Sequence, residues 1–342
     1  MTETTLRDEL RRRIDALPRV ALGHWPTPLD DCPRLSAALG GPRILMKRDD
    51  CTGLALGGNK TRQLELILGR ALAEGCDTLV AGAFAQSNWC RQIAAAGAKL
   101  GLAVHLVLKS GVTGTAPQGN LLLDRLFGAT IDFVDIPDAA GLTPQLEAAA
   151  ARLAAAGRRP RVLGTYEDKL LAALAYAGAM AELDEQLAAR GLAADRLYLS
   201  GADKTPAGCH LGMAALGGRT RVMGVTPIAW EVPRPGDIAK IASDAARLVG
   251  LDLAFKAADI DNDDGHIGPR YGLPSPEGTA AMALVARTEG IVLDPVYTAK
   301  AMAGLIADIR SGEVGRDETV VFLHTGGLPA LFALADEVAA GL

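Results

Sequence analysis

The sequence predicts an α/β protein with two domains, each built on a mostly parallel, twisted sheet flanked by helices. Short apolar runs of strand type alternate with alanine-rich helical segments along the 342 residues. Strands that helices cover on both faces are apolar along their length, which is why such runs favour parallel sheets. Neither a repeat of fixed period nor a long linker interrupts the alternation.

The first series of elements begins with the strand-like run RILMKRDD and the amphipathic stretch KTRQLELILGRALAEG. The following strands are DTLVAGA, LAVHLVLKS and TIDFVDI, with SNWCRQIAAAGAKLG and QGNLLLDRLFG as the helices between them. In the first helical stretch, Leu64, Ile67, Leu68 and Leu72 have the spacing of one helix face. Each strand is therefore followed by a helix that can cover the sheet.

A second series follows the long helical stretch EDKLLAALAYAGAMAELDEQLAARG, and its strands are RLYLSG, RVMGVTP and ETVVFLHTGG. We therefore expect a smaller α/β domain over residues 61–165. Residues 1–60 and 166–342 are expected to form a larger domain. The active site is expected in the cleft between them, because ligands of open α/β sheets bind where the strands end.

The composition argues against several classes of protein. A formal net charge of −5 and 4% aromatic residues disfavour nucleic-acid binding, which needs basic patches and stacking side chains. The five cysteines lack CxxC spacing, so neither a disulfide framework nor a zinc site is expected. The charged N-terminus has no signal-peptide core, and no apolar run is long enough for a membrane helix. We expect a cytoplasmic enzyme without a metal, nucleic-acid or membrane partner.

Four small polar loops follow strands or precede helices: TGLALGGNKTR, GAFAQSNWC, SGADKTPAG and HTGGLP. The third combines a strand, a glycine turn and a helix start, where backbone N–H groups and the helix dipole bind phosphate. It is not a Walker loop, because Asp203 stands where that motif needs glycine. No GxGxxG follows the first strand, and no GxSxG elbow is present. The acidic stretch DIDNDDGHIG lacks EF-hand spacing, so we expect a solvated loop there.

Lys60 directly follows an asparagine and two glycines and begins an amphipathic helix in GGNKTRQLE. Lysines usually lie on exposed helix faces, and that interpretation stays open for Lys60. At a helix N-terminus, however, the partial positive charge of the helix lowers a lysine pKa, which a Schiff-base lysine needs. Lys60 is therefore a candidate for the lysine that binds a carbonyl cofactor.

Other polar side chains in these loops are suited to support such chemistry. Ser87 and Asn88 begin a helix, where they could bind a carboxylate and an aromatic oxygen, or Ser87 could simply cap the helix. Tyr271 and Tyr297 lie in loops with glycine and proline, where they could transfer a proton or only complete a core. Thr325 could be an ordinary turn residue.

In combination, GGNKTRQLE, QSNWCRQIAAAGAKLGL, YGLPSPEG, EGIVLDPVYTAKAMAGLI and HTGGLPALF resemble, in this order, one family of pyridoxal-phosphate enzymes. It is the aminocyclopropane-carboxylate deaminase and D-cysteine desulfhydrase family, and the resemblance extends from about Pro26 to Phe332. The resemblance implies a tryptophan-synthase-β-like fold (fold type II), pyridoxal 5'-phosphate as cofactor, a small amino acid as substrate and a homodimer.

The resemblance also implies roles for individual residues. Lys60 matches the lysine that binds the cofactor, and Thr325 matches the residue that faces the pyridine nitrogen in the desulfhydrase branch. The expected catalytic residues are Lys60, Ser87, Tyr271 and Tyr297. The expected substrate-binding residues are Ser87, Asn88, Trp89 and Tyr297. The expected cofactor-binding residues are Lys60, Asn88, Gly201, Ala202, Asp203, Lys204, Thr205 and Thr325.

The expected reaction is α,β-elimination from a small β-substituted amino acid, which releases pyruvate, ammonia and the substituent. In the deaminases a glutamate follows the second tyrosine, whereas this chain has Thr298. A D-cysteine desulfhydrase-like or cysteate sulfo-lyase-like activity is therefore favoured. An aminocyclopropane-carboxylate-type deaminase, a racemase on the same scaffold and a non-catalytic binding protein stay open as alternatives.

Several positions depart from the family pattern. Trp89 stands where histidine is usual, and TYEDKLLAALAY replaces a GGSxxLG turn, so the substrate does not follow from the resemblance. The usual GSGGTxAG is SGADKTPAG here, and Gln63 replaces the second lysine of KTRKLE. We expect the loop to bind the cofactor phosphate and Lys204 to supply the charge missing at Gln63, unless Lys204 faces solvent. Asp203 is expected to face solvent or an arginine.

Overall fold

A computed structural model describes residues 5–136 and 141–342 as an α/β fold with two sheets. The strands are β1 (Leu29–Asp31), β2 (Arg43–Lys47), β3 (Thr78–Phe84), β4 (Ala103–Lys109), β5 (Thr130–Phe133), β6 (Pro160–Val162), β7 (Arg196–Ser200), β8 (Arg221–Val225), β9 (Asp261–Asp263) and β10 (Thr319–Leu323). The helices of the first half are α1 (Leu6–Asp15), α2 (Pro33–Leu39), α3 (Lys60–Ala73), α4 (Asn88–Leu100), α5 (Gly119–Leu126) and α6 (Leu142–Ala155). Those of the second half are α7 (Tyr166–Ala188), α8 (Lys204–Ala215), α9 (Pro235–Leu248), α10 (Pro276–Glu289), α11 (Thr298–Ser311), α12 (Pro329–Ala333) and α13 (Ala335–Ala339).

Both sheets are mostly parallel, which confirms the predicted fold class. One sheet has the strand order β5-β4-β3-β6 and is parallel throughout. The other has the order β1-β2-β10-β7-β8-β9, and β1 is its one antiparallel strand among the described residues. The strands of the first sheet all come from residues 78–162. The domain boundaries expected from the sequence stay a prediction.

The 23-residue helix α7 lies at the centre of the packing, in contact with α1, α3, α8 and α9. Its buried residues include Leu171, Leu174 and Met180 and fall on all sides of the helix, as expected for a helix that neighbours surround. Even so, neither α7 nor any other helix within residues 5–136 and 141–342 is both long and apolar enough to span a bilayer.

The stretch that departs from the family's GGSxxLG pattern forms the start of α7. Thr165 and Asp168 make a capping box, in which the Thr165 hydroxyl accepts from the Asp168 N–H group (3.2 Å). Tyr166 donates to the Asp244 carboxylate (2.7 Å), and Glu167 forms an ion pair with Arg70 (3.1 Å). These three departures at 166–168 therefore stabilise a helix start.

The acidic stretch near residue 260 differs from the solvated loop expected there. Asp261–Asp263 form β9, which pairs in parallel with β8 and is only partly exposed. The pairing satisfies backbone groups at the edge of β8, and an edge strand of three residues does not require apolar side chains. The short strands β1 and β6 have no signal in the sequence for the same reason.

Candidate active site

A cavity of about 290 Å³ lies beyond the carboxyl ends of β3, β7, β8 and β10. All of the site residues predicted from the sequence line this cavity: Lys60, Ser87, Asn88, Trp89, Gly201, Ala202, Asp203, Lys204, Thr205, Tyr271, Tyr297 and Thr325. The sequence interpretation did not single out the other lining residues, which are Asn59, Phe84, Ser200, Pro206, Pro227, Ile228, Trp230 and Gly326. Residues from seven separate segments of the chain thus meet at one place.

Lys60 is the first residue of α3, as its position after the glycine pair predicts. Its Nζ atom donates a hydrogen bond to the Asn59 side-chain oxygen (3.0 Å). The pKa of Lys60 is lowered from 10.5 to about 7, first by burial and second by the positive charge of nearby Lys204. Burial is thus the main cause, ahead of the helix terminus on which the sequence prediction relied. The amine is therefore available as a free base near neutral pH.

The loop that carries Lys60 is tied to the loop that carries Thr325. The Asn59 backbone N–H group donates to the Thr325 carbonyl oxygen (3.0 Å). Gly326 has a φ of +85°, and a Cβ atom at this position would lie 2.6 Å from the Cα atom of Gly58. Glycine is required at both positions because the two backbones touch. This contact places the Thr325 hydroxyl and the Lys60 amine in the same cavity.

The turn between β7 and α8 has the strand–turn–helix form that SGADKTPAG predicts. The N–H groups of Lys204 and Thr205 lie in the first turn of α8, where a helix has no internal acceptors for them. The Thr205 hydroxyl accepts from the Gln63 amide (3.0 Å). Ser200 Oγ is buried beside the cavity and has no hydrogen-bond partner within the described residues. These groups form a concave surface of donors that suits a phosphate.

Lys204 and Asp203 point in directions that the sequence does not indicate. The Lys204 ammonium lies 4.6 Å from the centre of the Trp89 ring, across the cavity from its own helix. The Asp203 carboxylate pairs with Lys169 (3.2 Å), which corrects the expectation that it faces solvent or an arginine. The sequence does not indicate this ion pair, because the pair depends on the packing of α7 against α8. That Lys204 reaches the cofactor phosphate stays a prediction.

Ser87 and Asn88 occupy the start of α4, where the helix dipole favours an anion. Ser87 Oγ accepts a hydrogen bond from the Cys90 N–H group (3.2 Å), so the capping interpretation is correct for its oxygen. Its hydroxyl proton is still available to a ligand. The Asn88 oxygen accepts from the Asn120 amide (3.0 Å), which leaves the NH₂ group of Asn88 as its donor to the cavity.

Tyr271 and Tyr297 meet at the cavity, and their hydroxyl groups are hydrogen-bonded to each other. Their rings lie edge to face with centres 6.0 Å apart, and the Tyr271 ring also packs on Phe84. Burial raises the pKa of both phenols above the ordinary value of 10, so both stay protonated near neutral pH. The pair can donate and relay a proton from one hydroxyl to the other.

Two buried charged residues position these tyrosines without lining the cavity. The Asp294 carboxylate accepts from the N–H groups of Tyr297 (2.9 Å) and Thr298 (2.8 Å) at the start of α11. Lys300 donates to the Ile267 carbonyl (2.6 Å), in the loop that leads to Tyr271. The DPVYT sequence carries a signal for Asp294, because an aspartate shortly before a helix commonly caps it. Lys300 has no such signal.

The residues of the cavity fit pyridoxal phosphate. This group needs an amine for its aldehyde, donors for its phosphate and a partner for its ring nitrogen. The cavity provides the Lys60 amine, the first turn of α8 with the unpartnered Ser200 hydroxyl, and the Thr325 hydroxyl. Within the described part of the chain, no three or more His, Cys, Asp or Glu side chains are placed to hold a metal ion.

Comparisons with known proteins give a consistent result. A family model described as pyridoxal-phosphate dependent enzyme matches residues 20–326. The chain is 39% identical over 329 residues to a D-cysteine desulfhydrase of Klebsiella pneumoniae (strain 342), covering 94% of this chain and 98% of the relative. It is 40% identical over 330 residues to a D-cysteine desulfhydrase of Salmonella choleraesuis (strain SC-B67), covering 94% and 97%.

Solved structures agree with this assignment. The structure described as an ACC deaminase homologue superposes with a TM-score of 0.89 at 32% identity, covering 98% of this chain and 99% of the other. The apo form of Escherichia coli diaminopropionate ammonia lyase shares the fold, with a TM-score of 0.70 at 17% identity and coverage of 99% and 94%. The chain therefore belongs to the pyridoxal-phosphate-dependent enzymes, and within them to the lyases that include the aminocyclopropane-carboxylate deaminases and D-cysteine desulfhydrases.

Proposed function

We propose that this lyase catalyses α,β-elimination from a small β-substituted amino acid, with pyruvate, ammonia and the released substituent as products. The observation that carries the proposal is the Lys60 amine, whose pKa is about 7, in one cavity with two hydrogen-bonded tyrosines. The D-cysteine desulfhydrases at 39–40% identity support a reaction of this type. A thiol, as in D-cysteine, or a sulfonate, as in cysteate, is a leaving group consistent with this family.

Pyridoxal phosphate, when bound, supplies an electron-accepting ring that stabilises negative charge at Cα of the amino acid. Lys60 Nζ is the proposed base that removes the Cα proton, because its lowered pKa leaves it unprotonated near neutral pH. The hydroxyls of Tyr271 and Tyr297 are the proposed proton donors to the leaving group or the product. Ser87 Oγ is a second group that can donate or accept a proton on this side of the cavity.

We assign the remaining site residues to binding. Ser87 and Asn88 bind the substrate carboxylate at the N-terminus of α4, with Trp89 and Tyr297 as further substrate contacts. The turn of Gly201, Ala202, Asp203, Lys204 and Thr205 binds the cofactor phosphate through its backbone. Thr325 faces the ring nitrogen with a hydroxyl, and Asn88 donates to the cofactor through its NH₂ group.

We also propose the organisation of the whole enzyme. Residues 61–165 form the smaller domain, and residues 1–60 and 166–342 form the cofactor-binding domain, with the site in the cleft between them. The strands of the four-stranded sheet, which all come from residues 78–162, support this division. The enzyme is proposed to act as a homodimer in the cytoplasm. Gel filtration with light scattering tests the oligomeric state, and cell fractionation tests the location.

The experiment that tests the function is a screen of β-substituted D- and L-amino acids with the purified holoenzyme, with pyruvate as the measured product. Pyruvate from at least one substrate is expected. Formation of α-ketobutyrate from aminocyclopropane carboxylate would instead identify a deaminase. Loss of chirality without pyruvate would identify a racemase, and a protein that acquires no cofactor absorbance on addition of pyridoxal phosphate would be a non-catalytic binding protein.

A further inference from the structure

The side chain of Lys204 is a charged group of the cavity that the steps above do not use. No oxygen atom of the described residues accepts a hydrogen bond from its Nζ atom, and the nearest acidic neighbour, Asp203, is paired with Lys169. Burial lowers the pKa of Lys204, and the negative charge of Asp203 offsets this effect only in part. The Lys204 side chain is partly exposed and lines the cavity, so its ammonium can bind a negatively charged group of a ligand.

The contact with Trp89 shows on which side of the cavity that anion binds. Trp89 follows Ser87 and Asn88 in the first turn of α4, where the substrate carboxylate is proposed to bind. The aromatic face holds the Lys204 ammonium 4.6 Å from its centre, and a cation above a tryptophan ring is attracted to it. The ammonium is therefore held near the α4 side of the cavity.

The phosphate-binding turn does not need the same side chain. Its donors are the free N–H groups of the first turn of α8, with the Ser200 hydroxyl beside them. The Gln63 amide donates to the Thr205 hydroxyl (3.0 Å), and the Lys204 ammonium lies over the Trp89 ring. The backbone of Lys204 and its ammonium thus face two different parts of the cavity.

We propose that the Lys204 ammonium, held by Trp89, binds a negatively charged oxygen-rich group on Cβ of the substrate, such as a sulfonate or a phosphate ester. This inference rests on the proposed elimination reaction and names its substrate class. The thiol of cysteine is mostly neutral near pH 7 and has no need for a second cation. Sulfonates and phosphate esters carry a negative charge at that pH, which complements the positive charge of the Lys204 ammonium.

The proposed step is balanced without a further reactant. For a sulfonate, Lys60 Nζ takes the Cα proton and the C–S bond breaks. The electron pair of this bond leaves with the sulfur as sulfite, and a double bond forms between Cα and Cβ. The resulting aminoacrylate adds water and gives pyruvate and ammonia. Lys204 stabilises the bound substrate and also the leaving group, whose negative charge increases as it takes the electron pair of the C–S bond.

The first test compares substrates in the holoenzyme and in two variants. Cysteate, O-phosphoserine and cysteine, each as D and L forms, are assayed for pyruvate with the wild type, Lys204→Met and Lys240→Met. Lys240 is an exposed lysine on α9, so Lys240→Met removes the same charge at a site outside the cavity. We expect the wild type to prefer an anionic substrate. Lys204→Met should lower kcat/KM for this substrate about 10- to 100-fold more than it lowers kcat/KM for cysteine, through both KM and kcat. Lys204→Arg should keep the preference.

A second measurement does not depend on elimination. Aspartate carries an anion on Cβ that elimination cannot expel, and alanine carries none, so calorimetry of both with the holoenzyme isolates the contribution of the charge. We expect aspartate to bind more tightly than alanine to the wild type, and Lys204→Met to remove the difference. If no substrate yields pyruvate while this difference is present, the proposed reaction is wrong and the anion site stands.

Three results would overturn the inference itself. The first is equal affinity for aspartate and alanine in the wild type. The second is an equal loss for cysteine and the anionic substrates in Lys204→Met. The third is a weaker titration of the apoprotein with pyridoxal phosphate in Lys204→Met than in Lys240→Met, with no change in substrate preference. That result would assign the ammonium to the cofactor phosphate.

Discussion

Lys60 and Lys204 lie close enough for the charge of one to lower the pKa of the other. The sequence predicts Lys60 as the reactive lysine, because two glycines and a helix start are local features. It predicts neither how deeply Lys60 is buried nor how close the Lys204 ammonium lies to it, because both depend on how loops from separate parts of the chain pack around the cavity. The position of Lys204 over Trp89 likewise requires the packing of α8 towards α4. At the residue scale, the sequence thus predicts which lysine reacts but not how far its pKa is lowered.

The lowered pKa of Lys60 predicts how cofactor uptake depends on pH. The amine reacts with an aldehyde only as the free base, and its pKa is about 7 in the folded protein against 10.5 ordinarily. The rate at which apoprotein binds pyridoxal phosphate should therefore rise up to about pH 7 and level off above it. Stopped-flow absorbance measures this rate. A rate that keeps rising towards pH 10.5 would show an ordinary lysine.

Replacement of Lys60 tests which lysine binds the cofactor. Lys60→Ala should abolish the visible absorbance band of lysine-bound cofactor, because no other amine takes its place at the start of α3. Turnover should fall by about 10²- to 10⁴-fold or more, as for the loss of a general base. Lys240→Ala, at an exposed site, should leave band and turnover unchanged. A variant at Lys60 that kept both would show that another lysine is responsible.

At the scale of elements, helix starts position most of the site: α3 begins with Lys60, Ser87 caps α4, α8 begins with Lys204, and Tyr297 precedes α11. These starts are predictable, because each follows a strand or loop with glycine, serine or aspartate. Three-residue strands such as β9 are not predictable, because pairing with a neighbour forms them and the local residues do not. The residues that hold loops in place, such as Lys300, escape prediction for the same reason.

Asp294 positions the reactive residue Tyr297 at the start of α11. Its buried carboxylate binds the N–H groups of Val296, Tyr297 and Thr298. Asp294→Ala should lower the free energy of unfolding by about 2 kcal/mol and should also lower kcat, because Tyr297 loses its backbone support. Urea denaturation and pyruvate assays measure the two effects. Asp8→Ala, in the exposed first turn of α1, is the control, and an Asp294 effect no larger than this control would refute the role.

At the scale of the molecule, a buried cluster of charges joins distant parts of the chain. Arg62 on α3 donates to Asp49 after β2 (2.8 Å) and to Glu182 on α7 (2.8 Å). Tyr176 donates to the same Asp49 (2.7 Å), and Lys47 binds Glu182. The sequence gives no sign of this cluster, because its members are up to 135 residues apart. It holds α3, two residues after Lys60, against the central helix α7.

Disruption of this cluster should destabilise the whole fold. Arg62→Met leaves the Asp49 carboxylate buried without its main cation, and such a loss costs about 3–5 kcal/mol. Arg70→Met removes an exposed arginine from the same helix and should cost less than about 1 kcal/mol. Urea denaturation of both variants measures the difference. Equal stabilities would mean that the cluster contributes no more than a surface pair.

The strand order also determines when the protein can become active during its synthesis. β10 is the last strand in chain order, yet it lies between β2 and β7 in the larger sheet. The ribosome therefore produces both neighbours of this strand well before the strand that joins them. The four-stranded sheet comes from one continuous stretch and can form early, as N-terminal units do. The side of the cavity that contains Thr325 forms only after translation has passed β10. An unfinished chain therefore has a gap between the apolar strands β2 and β7, and it has no active site.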